Sequence, residues 1–159
     1  MTTPVEHLVE NEKLVADGYV DLYEIELNNG TFLHLKSNNT VKWQGIEWQG
    51  VPIQFDGYSS SSAESLSRPK LQMVNQNGTF STFVRDGLLI RAKFKRIRVL
   101  YQNILNDVNI RQEQVWIMWT PTVLNSKYIE FELRSPLDGP NFIVPARMYM
   151  PPEFPSVSL

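Results

Sequence analysis

The chain has 159 residues, enough for one domain with a sizeable core. Its composition is 42% apolar and 20% charged, which is ordinary globular usage and argues against disorder. A net charge of −2 offers no global attraction for nucleic acid or anionic lipid, and the absence of cysteine excludes disulfides, thiolate–zinc sites and cysteine-ligated iron–sulfur clusters.

The opening MTTPVEHLVENEK is acidic and has no apolar core, so it is not read as a secretory signal. Thr3 can cap a helix, Pro4 suits its first position and Glu6 stands where a capping-box carboxylate belongs. Val5, Leu8 and Val9 then share a face, which predicts a short helix ending near Ala16 to Gly18.

The period then changes to two. Tyr23, Ile25 and Leu27 alternate with Glu24 and Glu26, Asn28-Asn29-Gly30 turns, and Thr31 to Lys36 returns, which predicts a hairpin. Val41 to Gly45 and Ile46 to Gly50 form a doubled five-residue unit, with Trp third and Gly fifth in each. Two units are too few for a solenoid, so a tight hairpin is predicted. Val51 to Phe55 is a further short strand.

Asp56 to Ser67 is Ser-rich and poor in apolar side chains, and reads as a long exposed loop. Lys70 to Asn75 is a strand, Asn77-Gly78 a turn, and Thr79 to Leu89 a short helix broken by Gly87. In Ala92 to Tyr101, Phe94 lies on one parity and Ile97 and Val99 on the other. A bulge beside Lys95–Arg96 would restore a single apolar face, so a bulge is predicted there. Asn103 to Asn109 reads as a loop, and Gln114 to Trp119 and Tyr128 to Leu133 as strands.

Six prolines follow, Pro136, Pro140, Pro145, Pro151, Pro152 and Pro155. Proline cannot donate to a central ladder, so residues 136–159 are predicted to run as an extended tail. The tail carries Phe142, Met148, Tyr149, Met150 and Phe154, which need an apolar surface on this domain or on a neighbouring subunit. The sum is a single, mainly β domain over 1–159. It is a small β-barrel or split barrel with a short N-terminal helix, one further short helix and the tail.

Residues that could carry chemistry are few. His7 and His34 have no partner at metal spacing. The serines lack a nucleophile-elbow or Ser-x-x-Lys context. Glu24/Glu26 and Glu130/Glu132 are spaced to share a solvent face of a strand. Arg91 to Arg98 holds five cations, which alternation explains as a solvated face or an ionic contact with a neighbouring subunit rather than a nucleic-acid site. Trp43, Trp48, Trp116 and Trp119 admit a sugar-binding platform, although packing is the commoner use of Trp. No catalytic residue, metal ligand or cofactor site is predicted.

The order of several segments is similar to a known family. These are Val20 to Leu27, Val41-Lys-Trp-Gln-Gly45, Trp48 to Ile53, Ser67 to Leu71 with Met73-Val74-Asn75, Phe142 to Arg147, and Pro152-Glu-Phe-Pro155. Together they resemble the N-terminal domain of the phage minor tail protein L family, and most nearly the short one-domain phage tail proteins of the DUF1833 type. The resemblance implies a β-barrel-like structural component of a siphophage tail tip. Such a component would form a homo-oligomeric ring, a trimer, between the distal tail protein and the central hub, with DNA passing through the channel without specific binding.

It also implies a place in the virion after folding in the host bacterial cytoplasm, without membrane or enzymatic activity. L proteins carry an iron–sulfur cluster in a cysteine-rich C-terminal domain. This sequence stops before such a domain and has no Cys, so the cluster is not carried over. The contact segments expected are the tail (Phe142, Met148, Tyr149, Met150, Phe154) and the serine loop (Ser59, Ser60, Ser61, Ser62). A carbohydrate-binding or cell-wall-acting module of the tail tip is the alternative.

Overall fold

The computed structural model describes residues 5, 7, 18–57, 68–75 and 78–138. Of the N-terminal helix, Val5 and His7 are described, and both are helical. The first hairpin forms as expected, with β1 (Tyr19–Glu26) and β2 (Phe32–Lys36) antiparallel. Gly30 takes φ +82° in its turn, a conformation that costs glycine nothing. The doubled unit is the second hairpin, β3 (Val41–Trp43) and β4 (Ile46–Gly50), turning through Gln44 and Gly45, both at positive φ.

The two glycines of that unit do different work. Gly45 permits the turn, whereas Gly50 permits close approach. A Cβ at position 50 would press into the Asn38 carbonyl oxygen and come within 2.9 Å of the Asn39 and Thr40 backbone. The chain continues through β5 (Ile53–Asp56), β6 (Lys70–Val74), a helix α1 (Thr79–Arg85), β7 (Lys93–Leu100), a helix α2 (Tyr101–Leu105), β8 (Gln112–Leu124) and β9 (Tyr128–Arg134). A 3₁₀ turn, Pro136–Asp138, closes the described part.

These nine strands form one sheet in the order β3-β4-β2-β1-β7-β8-β9-β6-β5. Only β2 and β4 pair in parallel. β4 lies near one end of that order and β5 at the other, yet Val51 and Pro52 alone join them. Three trans peptide units span at most about 11 Å, so the sheet has to curl until its ends nearly meet. At that seam the Val51 amide donates to the Lys36 carbonyl (2.9 Å) and the Ser37 hydroxyl to the Ile53 carbonyl (2.9 Å). No ladder bridges it, and the architecture is an open, curled sheet of split-barrel type.

The interior of the curl is the main core, built from Ile25, Leu71, Met73, Phe94, Met118, Ile129, Phe131 and Leu133 and capped by Phe80 and Val84 of α1. A second, smaller core lies on the outer side. Leu22, Ile97 and Val99 there pack with Trp43 and Trp48 of the second hairpin and Ile104 of α2. In that hairpin Val41 stands opposite Trp48 and Trp43 opposite Ile46, so both tryptophans point to one face. The doubled unit is thus a device for delivering two Trp to one core.

Two expectations need correction. There is no bulge beside Lys95–Arg96: β7 pairs with β1 without interruption from Tyr19↔Leu100 to Glu26↔Lys93, and with β8 from Lys93↔Ile117 to Arg98↔Gln112. The parity change marks a change of face. Phe94 points into the main core opposite Ile25, and Ile97 points outward opposite Leu22 into the second. The irregular strand is β8, whose register shifts twice between Met118 and Val123, around Pro121. Proline lacks the amide a regular ladder needs, and bulges are where strands accommodate it. β8 therefore runs on to Leu124, beyond the expected end at Trp119. The second correction is α2, a helix over part of the stretch read as loop.

The two-face arrangement is testable by double-mutant cycles. Leu22→Ala with Ile97→Ala is expected to show a coupling of about 0.5–3 kcal/mol, because the two side chains touch. Phe94→Ala with Ile97→Ala is expected to add to within about 0.5 kcal/mol, because the sheet separates them. Strong coupling of Phe94 with Ile97 in denaturant titrations would place both on one face and refute the account.

Candidate assembly surface

The stretches of each face that β1 and β7 do not use for packing are used for charge. On the outer side Lys95 Nζ lies 2.7 Å from Glu24 and Lys93 Nζ 3.6 Å from Glu26. On the inner side Asp21 takes Arg96 at 2.6 Å and Arg98 at 3.1 Å, one guanidinium on each carboxylate oxygen. Arg91 lies over the Trp119 ring at 5.1 Å, and Arg134 over the same ring at 4.0 Å. Every cation of the 91–98 run therefore has a partner in its own chain. A phosphate backbone would have to displace those partners, so the run is no ready-made nucleic-acid site.

The paired glutamates are strand-face residues in the same sense. Glu130 meets Lys70 at 3.1 Å, and Glu132 meets Arg68 at 2.6 Å and Arg134 at 3.3 Å. They face cations on the neighbouring chain segment and, for Glu132, also Arg134 on the same strand, and not one another across a cleft. Burial works to raise the Asp21 pKa. Hydrogen bonds from Arg96 and Arg98 and their positive charge outweigh it, so the carboxyl is held below its ordinary value. Glu132 is lowered in the same way: burial opposes, and the hydrogen bonds and charge of Arg68 and Arg134 prevail. Tyr23, beside this cluster, is raised, first by burial and then by the Asp21 charge.

His34 is half-buried, 3.5 Å from Glu24 and edge-on to Trp48 at 4.9 Å. His7 is buried with its ring edge-on to Tyr19 at 5.4 Å. Among the described residues no three His, Asp or Glu side chains come together in a way that would hold a metal ion. Trp43 and Trp48 are 1% exposed and Trp116 is 7% exposed, so none of them offers a free ring face to a sugar. Trp119 is covered by its two arginines.

The contact residues expected from sequence, Phe142, Met148, Tyr149, Met150 and Phe154 with Ser59, Ser60, Ser61 and Ser62, lie outside the described residues. The structure adds two features that sequence reading missed. One is a knob where the β3–β4 turn meets the end of α2. The Gln44 amide donates to Asp107 Oδ1 at 2.7 Å and its side chain to the Asp107 carbonyl at 2.6 Å, with both residues at positive φ. Ile46, Leu105 and Val108 stand exposed around that joint. The other is an apolar groove between α1 and the sheet, lined by Leu33, Leu35, Val51, Val74, Phe80 and Phe83. Both depend on contacts between segments far apart in sequence, and no local pattern announces them.

The phage minor tail protein L family model matches residues 26–152 of the 159. The chain belongs to the phage minor tail protein L family. That membership supports a structural role in a phage tail. No curated protein matches the chain in sequence. Among solved structures, a chain from the virion of a native gene transfer agent particle is similar in fold, with a TM-score of 0.60 at 13% identity. The match covers 93% of this chain and 50% of that one, so this chain spans about half the length of its neighbour.

The Asp21 cluster yields a prediction with a definite sign. A carboxyl with a lowered folded-state pKa contributes stability that is present above its ordinary value and is lost as pH falls through the folded value. Asp21→Asn is expected to cost about 1–3 kcal/mol at neutral pH, the scale of hydrogen bonds to charged groups. The gap between wild type and variant should then close as pH falls below the ordinary Asp value of 3.8. Urea titrations across that range measure it, and a gap independent of pH would show that the ion pairs are not its source.

Proposed function

We propose that this chain is a structural subunit of a siphophage tail tip. It assembles as a homo-oligomeric ring, a trimer, between the distal tail protein and the central hub, and it acts by assembly and not by catalysis. The family match over residues 26–152 carries this reading. The open sheet supports it. The three-residue β3 and the four-residue β5 leave short edges at both ends of the strand order. Short edges of this kind resist indiscriminate pairing but accept a shaped neighbour. The 91–98 run, each of whose cations is engaged within the chain, supports a channel through which DNA passes without specific binding.

Phe142, Met148, Tyr149, Met150 and Phe154, with Ser59 to Ser62, remain the proposed contact segments. The carbohydrate-binding alternative loses its two best residues, since Trp43 and Trp48 are consumed by the second core. Deleting Met150 to Leu159 is expected to leave a soluble folded domain, but to block ring formation and the production of infectious tails. Infectious tails assembled at normal yield without those residues would exclude the proposal. A truncated chain that fails to fold would assign the segment to the core instead.

A further inference from the structure

The groove under α1 is an apolar feature of the described surface. It sits where the curled sheet fails to close. β2 supplies Leu33 and Leu35, the chain after β4 supplies Val51, β6 ends at Val74, and α1 adds Phe80 and Phe83. α1 is fixed in place by buried Asn75. The Asn75 side-chain nitrogen donates to the Ser81 hydroxyl (2.6 Å) and the Asn125 carbonyl (2.9 Å), and its oxygen accepts from the Ser81 amide. The wall is therefore pre-formed. Its volume is about 290 Å³, at the lower end of the roughly 300–1,000 Å³ of ligand pockets. That admits a few side chains and not a folded partner.

We propose that the occupant is this chain's own C-terminal segment, seated by Met148 and Met150. Four observations lead there. The first is reach. Leu133 donates to the Pro69 carbonyl at the start of β6, so residue 138 ends the described chain near that end of the strand. The groove lies at the other end, four residues along β6, about 13 Å away. Ten peptide units join Asp138 to Met148, an extended span of up to roughly 35 Å. The second is attachment. A tether of that length holds the segment at an effective concentration in the millimolar range, which favours its own groove over a neighbour's.

The third is chemistry. In an extended segment, residues 148 and 150 share a side and Tyr149 takes the other. Two unbranched thioethers would then face the rings of Phe80 and Phe83, whose centroids are 6.4 Å apart. Methionine fills irregular gaps and gains from contact with ring edges. Pro151 and Pro152 follow and bring no amide that would need a partner. The fourth is the extent of the family match, which runs through residues 142 to 152 and so includes this segment with the domain. Seated in this way, the segment would present Phe154 outward to a neighbouring subunit.

The chain has no cysteine, so a pair of introduced thiols reads out the placement without background. Gln49, at the groove rim, and Tyr149, on the outer side of the segment, are the sites to use. The full chain carrying Gln49→Cys and Tyr149→Cys is treated with a short bis-maleimide. Most of the protein is expected to become an internally cross-linked monomer, with the joined peptides found by mass spectrometry. Adding Phe83→Ser, with its fold checked by thermal melting, is expected to abolish that product. An equimolar mixture of the two single-cysteine chains is expected to give no covalent dimer. A dimer from the mixture would assign the groove to a neighbour's segment, and no cross-link at all would leave the segment elsewhere. Either result overturns the proposal. The readout uses isolated protein, so it stands or falls separately from the position of the chain in the tail.

Discussion

The β1–β7 pairing is the constraint on which the rest of the molecule depends. Its eight residue pairs run without a break, and each face of the ribbon is apolar along one part and ionic along the other. On the inner face Ile25 and Phe94 enter the main core, and beyond them Asp21 binds Arg96 and Arg98. On the outer face Glu24 and Glu26 bind Lys95 and Lys93, and beyond them Leu22, Ile97 and Val99 enter the second core. A slip of one residue would exchange the faces, driving the charged side chains into both cores and the apolar ones into water. Register is therefore fixed from both sides at once. The ion pairs add to that choice: the exposed Lys93–Glu26 pair is worth about 0–1 kcal/mol, and the part-buried Asp21 cluster is worth more.

This diagonal division also explains what was legible in the sequence. Tyr23 to Leu27 and Ile129 to Leu133 each bury one face along their length, and the period of two exposes them directly. β7 has the same period but changes its buried face between Phe94 and Ile97, which in sequence looks the same as a bulge. Only knowing that a second core waits on the outer side separates the two readings. That core is made by Trp43 and Trp48, whose five-residue spacing was visible but whose common orientation needs the hairpin register. The true irregularity, at Pro121, falls where a proline ends a strand in most local readings. α2 is five residues long with no local pattern that marks a helix, and its one buried anchor, Ile104, is fixed by the distant second core.

The assembly surface was legible only as chemistry. The tail's prolines and large apolar groups raise the expectation of an apolar surface to lie on, and the sequence does not say which. The structure supplies a surface of the right kind, a pre-formed aromatic-lined groove at the unclosed seam of the sheet. It also removes competitors: the Trp residues are packed, and each cation of the basic run is engaged within the chain. A curled sheet that stays open, with a groove where its ends fail to pair, leaves a place for a segment that cannot join a ladder.

Native-state hydrogen exchange tests the central claim, that the β1–β7 ribbon holds both cores, most directly. The ladder amides of Leu22 to Ile25 and of Phe94 to Ile97 are expected to be among the slowest in the protein. Their exchange should follow only global unfolding as denaturant is added. The edges, β3 and β5, are expected to open locally first. Exchange of the β1–β7 amides through a partial opening, while β8, β9 and β6 stay protected, would show that the main core stands without the ribbon and would contradict the account.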